Sequence, residues 1–310
     1  MRENPFLQWI HAHTPPHPRV PLNIGDDMAA VEIGGSPAVL KIDQCLDQVH
    51  FDLRKHTSTQ AGRKAVNRCL SDCAAMACTP AAIMISVALP NNATEAFAQE
   101  LFLACRDTAA AFDCPLVGGD TSIWDQRLVI TVSALGRTEE GLVTRSGGQE
   151  GDTLFVSGAL GGSILGRHLT FTPRIELAQK LARAVKLHAM MDLSDGLAQD
   201  LPRLCAASKL GAQVHAHRLP IHDDAHTLAE RDHIPAGLHA LADGEDYELL
   251  FAIDPNDAPN LIELSEQSAE KGGVPLTAIG TLTRDPRLVL VDAKGHELPW
   301  PAVGWEHKGA

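Results

Sequence analysis

The sequence has no block of lysine and arginine, and its 26 basic residues are outnumbered by 39 acidic ones, a formal net charge of −13. That balance makes nucleic acid and anionic membranes poor partners, and an anionic substrate would need metal cations to overcome the field locally. Long apolar runs are missing as well. The longest, AAIMISVAL at 81–89, is far too short to span a bilayer. The opening MRENPFLQWIHAHTPPHPRV lacks the apolar core of a signal peptide. The seven cysteines are odd in number and too sparse for a disulfide scaffold, so a reducing cytoplasm is the expected compartment. Cys69, Cys73 and Cys78 lack CxxC pairing, and an alanine-rich helical pattern around them predicts buried small residues rather than a zinc site. There is no fixed-period repeat, no GxGxxG and no Walker A loop. The glycine-rich SGALGGS at 157–163 follows a strand pattern and has a shape that suits phosphate, but alone it reads better as a turn.

What is present describes a folded chain of two domains: 310 residues, 45% hydrophobic and 21% charged. Strand patterns recur at PAVLKID, AAIMISVAL, RLVITVSALG, DTLFVSG, AQVHAHRL and YELLFAID, with helical patterns at 60–77, 93–112 and 175–184. The alternation predicts a mixed α/β architecture. The turn-rich RSGGQEGD, 145–152, marks the expected boundary between an N-terminal domain over 1–144 and a C-terminal domain over 145–310.

The informative feature is a set of aspartates in apolar or glycine-rich settings. Asp26 and Asp27 precede a strand in IGDDMAAVEI, and Asp43 lies inside the strand AVLKIDQCL. Asp72 falls on a buried helical stripe, Asp120 ends the apolar run LVGGD, and Asp192 and Asp195 follow an apolar pair in MMDLSDGL. A buried carboxylate needs a cation, a backbone amide or a metal, and few lysines or arginines adjoin these acids in sequence. Any one of them alone reads equally well as a helix cap or an Asx turn. Together they point to Mg2+, a hard ion that prefers oxygen ligands. Lys41 shares a strand face with Asp43, and either neutralises it or interferes with it.

In order and spacing, IGDDMAAVEI, DQCLDQVHF, NRCLSDCAAMACTP, LVGGDTS, TRSGGQEGD, MMDLSDGLAQDL, DGEDYELLF and GWEH resemble the thiamine-monophosphate kinases. These belong to the superfamily of aminoimidazole ribonucleotide synthetase and selenophosphate synthetase. The resemblance runs from about residue 23 to 307. It implies a two-domain α/β (α+β) fold with mixed sheets and flanking helices, a cytoplasmic homodimer formed through N-terminal strands, and Mg-assisted, in-line phosphoryl transfer from ATP to thiamine monophosphate. By position it implies several Mg2+ ions on Asp26, Asp43, Asp72, Asp120, Asp192 and Asp195, with Asp27 less secure. It places Gly119, Asp120, Arg145 and Ser194 on ATP, and His50, Glu245 and Trp305 on the thiamine phosphate. Without the resemblance, those last three read as a turn histidine, a helix-start or turn acid, and a tail tryptophan covering core.

The chain departs from the family at Lys41 and Ile42, where serine or threonine would supply oxygen ligands. A charged lysine cannot coordinate, but its ammonium can stand where one ion would sit. The alternative that follows is a non-catalytic paralogue that binds nucleotide or thiamine phosphate without turnover. Ile123 and Trp124 leave the polar pattern after GGDTS, and Pro202 predicts that the helix after SDGL starts late or kinks.

Overall fold

The computed structural model describes residues 9–10, 12–23, 25–34, 36–138, 141–270, 272–301 and 304. In the N-terminal half, β1 (Ala29–Ile33), β2 (Ser36–Leu46), α1 (Ser58–Ala75), β3 (Thr79–Pro90), α2 (Glu95–Ala110), β4 (Leu116–Trp124) and β5 (Val129–Arg137) follow in order. Their strands form one sheet, β1-β2-β5-β3-β4, antiparallel except for the parallel β3–β4 pair. The second half supplies β6 (Thr153–Ser157), α3 (Ile175–Ala184), β7 (Leu187–Asp192), α4 (Leu197–Ser208), β8 (Gly211–His215), α5 (Asp223–Asp232) and α6 (Ala236–Ala242). It closes with β9 (Leu249–Ile253), α7 (Ala258–Ala269), β10 (Leu276–Thr283), β11 (Leu288–Val291) and β12 (Glu297–Pro299). The second sheet runs β12-β11-β8-β10-β6-β9-β7, so β7, which ends at Asp192, is an edge. Among the described residues no helix is long and apolar enough to cross a membrane.

Helix α1 positions the site. A reciprocal capping box between Thr57 and Gln60 starts it, satisfying two of the amides that a helix start leaves unpaired. It is buried on almost every side, against β2 and β5 of the first sheet and against β7 and α3 of the second half. Ala61, Ala65, Cys69, Cys73 and Ala74 allow this close approach, and the thiols of Cys69, Cys73 and Cys78 are free, buried and small.

Pro202 does not delay α4. The helix begins at Leu197 and carries the proline in its interior. Proline has no N–H to give the carbonyl four residues back, and that carbonyl, on Ala198, accepts instead from the Trp300 indole Nε1 at 3.0 Å. A side chain from a distant segment thus replaces the missing helical bond.

Candidate active site

Strand β2 alternates as its sequence indicates. Val39, Lys41, Asp43 and Cys45 face α1, whereas Leu40 and Ile42 face outward, Ile42 being 67% exposed. Ile42 therefore stands on the opposite side of the sheet from the acids, and only Lys41 of the two departing residues reaches them.

Among the described residues, one group of acids converges closely enough to share an ion: Asp27, Asp72 and Asp192 each offer an oxygen within 4.8 Å of the others. Asp27 lies at the approach to β1, Asp72 on the last turns of α1 and Asp192 at the end of β7, so the cluster joins both halves of the fold. All three are buried. Lys41 Nζ donates to Asp72 Oδ1 at 2.9 Å and to the Asp27 carbonyl at 3.3 Å. Arg145 grips Asp27 with Nη2 at 2.6 Å and Nε at 3.1 Å. Ser71 donates to Asp192 at 2.5 Å. Burial, followed by the charge of Asp27, raises the Asp192 pKa to about 6. Burial likewise pushes Asp72 well up, against the pull of Lys41. Burial alone would lower the Lys41 pKa, but Asp72 and then Asp43 hold it above the ordinary lysine value. Three hard oxygen donors, confined together and compensated among the described residues by Lys41 and Arg145, suit a divalent cation such as Mg2+.

The other expected acids take different places. Asp26 accepts from the Arg145 amide at 3.1 Å, and burial followed by Asp27 raises its pKa to about 6. Asp43 faces Arg68, with Nε at 3.3 Å, and Asp195 pairs with Arg203 at 2.5 Å. Gly119 and Asp120 lie exposed on β4, an edge strand, where Asp120 accepts from the Thr121 amide at 2.9 Å. The scarcity of basic partners in sequence does not carry over into space. Lys41, Arg68, Arg145 and Arg203 each meet one of these acids, and the Arg145–Asp27 contact spans 118 positions of chain.

Beside the cluster is a cavity of about 360 Å3, whose lining includes His50, Arg68, Ser194, Asp195, Glu245 and Tyr247. Glu245 and Tyr247 carry positive φ values of 66° and 53°, a strained turn that presents the DGEDYE segment to the cavity. Fully buried Lys64 anchors it: its ammonium bonds Glu245 Oε1 at 2.7 Å, His168 Nδ1 at 2.6 Å and the His50 carbonyl. Burial alone would raise the Glu245 pKa, but the His168 hydrogen bond and Lys64 bring it down to about 2. Burial, followed by the charge of Arg68, lowers His50 to about 3, and its Nδ1 accepts from the Leu46 amide at 3.0 Å. Gly304 closes one side of the cavity, and Trp305 lies outside the described residues. The glycine loop at 157–163 supports the same segment: Gly161 N donates to Asp246 at 2.9 Å and Gly162 N to Asp243 at 2.8 Å. Its amides are occupied by the protein's own carboxylates, in keeping with a turn.

Lys64, Arg68 and His168 join the site although no motif in the sequence marks them. The available signal was the four-residue spacing of Lys64, Arg68 and Asp72 along a helix otherwise rich in small apolar residues.

The AIR synthase related protein, N-terminal domain family matches residues 25–138, and the corresponding C-terminal domain family matches residues 127–293. The chain is 41% identical to a thiamine-monophosphate kinase from Rhodopirellula baltica over 287 residues, covering 90% of this chain and 88% of that one. It is 34% identical to a thiamine-monophosphate kinase from Haemophilus influenzae, covering 85% and 83% of the two chains. Among solved structures, AaThiL complexed with AMPPCP and TMP superposes with a TM-score of 0.82 at 26% identity, covering 99% of this chain and 97% of that one.

Proposed function

The chain belongs to the AIR synthase related family and, within it, to the thiamine-monophosphate kinases, and from that membership we propose that it transfers the γ-phosphoryl group of ATP to thiamine monophosphate, giving ADP and thiamine diphosphate. Beyond membership, one arrangement carries the reading. A buried acid cluster and a cavity large enough for a small molecule are held side by side by the same helix, α1.

The chemistry suits these residues. The acceptor is a phosphate oxygen, already anionic, so the protein needs no general base, and the work is to position two polyanions. Asp27, Asp72 and Asp192 would hold Mg2+, with Asp26, Asp43, Asp120 and Asp195 as further carboxylates in the site. Mg2+, when bound, would neutralise the phosphate oxygens and polarise the transferring group. Gly119, Asp120, Arg145 and Ser194 would contact ATP, Arg145 contributing a permanent positive charge while its Nε and Nη2 hold Asp27. On the other side, Glu245 stays ionised and offers an acceptor to an amino group, and neutral His50 presents an uncharged wall. Trp305 would stack on a flat heterocycle.

The direct test is formation of thiamine diphosphate from ATP, Mg2+ and thiamine monophosphate by the purified protein. Turnover is expected. Absence of product at high enzyme and saturating metal would sink the kinase reading and leave the binding paralogue.

We also propose that the protein works as a homodimer. The outer face of the first sheet presents Leu40, Ile42, Met84, Val117 and Leu135, all exposed, an apolar surface continuous across neighbouring strands. A stable dimer buries roughly 1,200–2,000 Å2 in total, and a sheet face of this kind is suited to it. Sedimentation is expected to give a dimer for the wild type and a folded monomer for Ile42→Glu. A wild-type monomer at micromolar concentration would remove the proposal.

A further inference from the structure

Arg68 is the cavity-lining residue that the kinase reading leaves without a task. It sits on α1 between two turns whose roles are clear. Four residues earlier, Lys64 fastens Glu245 at the cavity, and four residues later Asp72 joins the acid cluster. Each step of four residues is a rise of about 6 Å along one helix face, so Arg68 stands midway between cavity and cluster. A molecule bound in the cavity and reacting at the cluster must place its reacting end there.

The guanidinium is also poorly satisfied by the protein. Its side chain is only 15% exposed, yet Nε and Nη1 are buried without a hydrogen bond. The pairing with Asp43 is loose, at 3.3 Å from Nε to Oδ2 and 3.4 Å from Nη2 to Oδ1. An arginine fork normally finds a bidentate oxyanion at about 2.7–2.9 Å, and buried donors left open cost stability unless another group uses them. Structural pairing with Asp43 alone would have produced short, aligned bonds such as those between Arg145 and Asp27.

Resting on the kinase reading, we propose that Arg68 binds the acceptor phosphate of thiamine monophosphate, its fork orienting the attacking oxygen toward the acid cluster while the rest of the molecule occupies the cavity. Arg68 thereby selects the phosphorylated substrate: it gives a phosphate ester its binding advantage over the corresponding alcohol. Nε and Nη1 are closed off beside Asp43 in this structure, so the guanidinium turns from Asp43 to meet the phosphate.

The experiment compares thiamine monophosphate with unphosphorylated thiamine. Calorimetric affinities for each are measured on wild type, Arg68→Gln and Arg68→Lys in the presence of Mg2+ and a non-hydrolysable ATP analogue. Thermal scans establish that each variant is folded, and Arg68→Lys keeps a charge opposite Asp43. Arg68→Gln is expected to weaken thiamine monophosphate about 10- to 100-fold, the range for a charge-assisted pair, and to leave thiamine within about twofold. Arg68→Lys is expected to fall between, because an ammonium keeps the charge and loses the fork. Equal weakening of both molecules would make Arg68 a residue that merely shapes the cavity and would overturn the assignment. Wild-type protein that binds thiamine monophosphate but does not turn it over defeats the kinase reading and leaves the affinity comparison to decide on Arg68. Wild-type protein that binds neither molecule overturns both.

Discussion

Asp72→Asn is expected to lower turnover by about a hundred- to a thousand-fold, the scale seen when one preorganised electrostatic group is removed from a phosphoryl- or acyl-transfer site. Asp72 is the cluster member whose carboxylate pairs with Lys41, at 2.9 Å, so it joins the fixed cation to any bound one. The amide has the same shape and lacks the charge. The fold is expected to survive, because three buried carboxylates within 4.8 Å repel one another and removing one relieves that repulsion. A thermal scan in chelator should therefore show Asp72→Asn at or above the wild-type melting temperature. Addition of Mg2+ should raise it less than it raises the wild type. Such a pairing of lost activity with retained stability is the usual mark of a strained functional site. Wild-type kcat at saturating Mg2+ would show that Asp72 is a structural acid.

Much of this site was visible in the sequence because buried carboxylates are costly and announce themselves in apolar surroundings. Asp72 in an alanine- and cysteine-rich helix and Asp192 after two methionines stand out for this reason, and both lie in the cluster. The choice between the neighbours Asp26 and Asp27 was not visible. Both precede β1, and which of them turns inward depends on Arg145, whose amide binds the first and whose guanidinium binds the second. Contacts across more than a hundred positions leave no local pattern to read. The same holds for Trp300, which makes Pro202 tolerable inside α4.

Periodicity served better for Lys41 and Asp43, since a strand puts alternate residues on one face and β2 does so. It carries the further consequence that Ile42 faces away from the acids. Neither alternation nor a long apolar run marks the partly exposed strands β10, β11 and β12, which are ordered by their partners: β10 by β6 and β8, β11 by β8, and β12 by β11. The basic residues Lys64 and Arg68 go unmarked for a different reason. In a helix, charged residues four apart usually describe a solvated face, and only the packing of a second domain over α1 turns that face inward.

Lys41→Ser is the prediction that decides what the departure from the family means. Removing the ammonium leaves Asp72 without its partner and Asp27 with Arg145 alone. In chelator the variant is expected to lose on the order of 2 kcal/mol of stability, less than the 3–5 typical of a wholly buried pair, because the Lys41 side chain keeps 25% exposure and water screens it. Added Mg2+ is expected to restore that loss, since a divalent ion can enter the space the ammonium leaves and serine supplies an oxygen toward it. Calorimetry should then count about one more bound ion per chain than in wild type. Ile42→Thr, on the outer face, should change neither number, and combining it with Lys41→Ser should add nothing to the metal count. Unchanged stoichiometry in Lys41→Ser, with stability that Mg2+ does not recover, would mean that Lys41 is an ordinary partner for Asp72. A gained ion would mean that the chain carries one of its cations in covalent form. That cation is then present before nucleotide arrives, so the acid cluster needs less metal to accept a phosphate, and the wild type should reach half-maximal turnover at lower Mg2+ than Lys41→Ser.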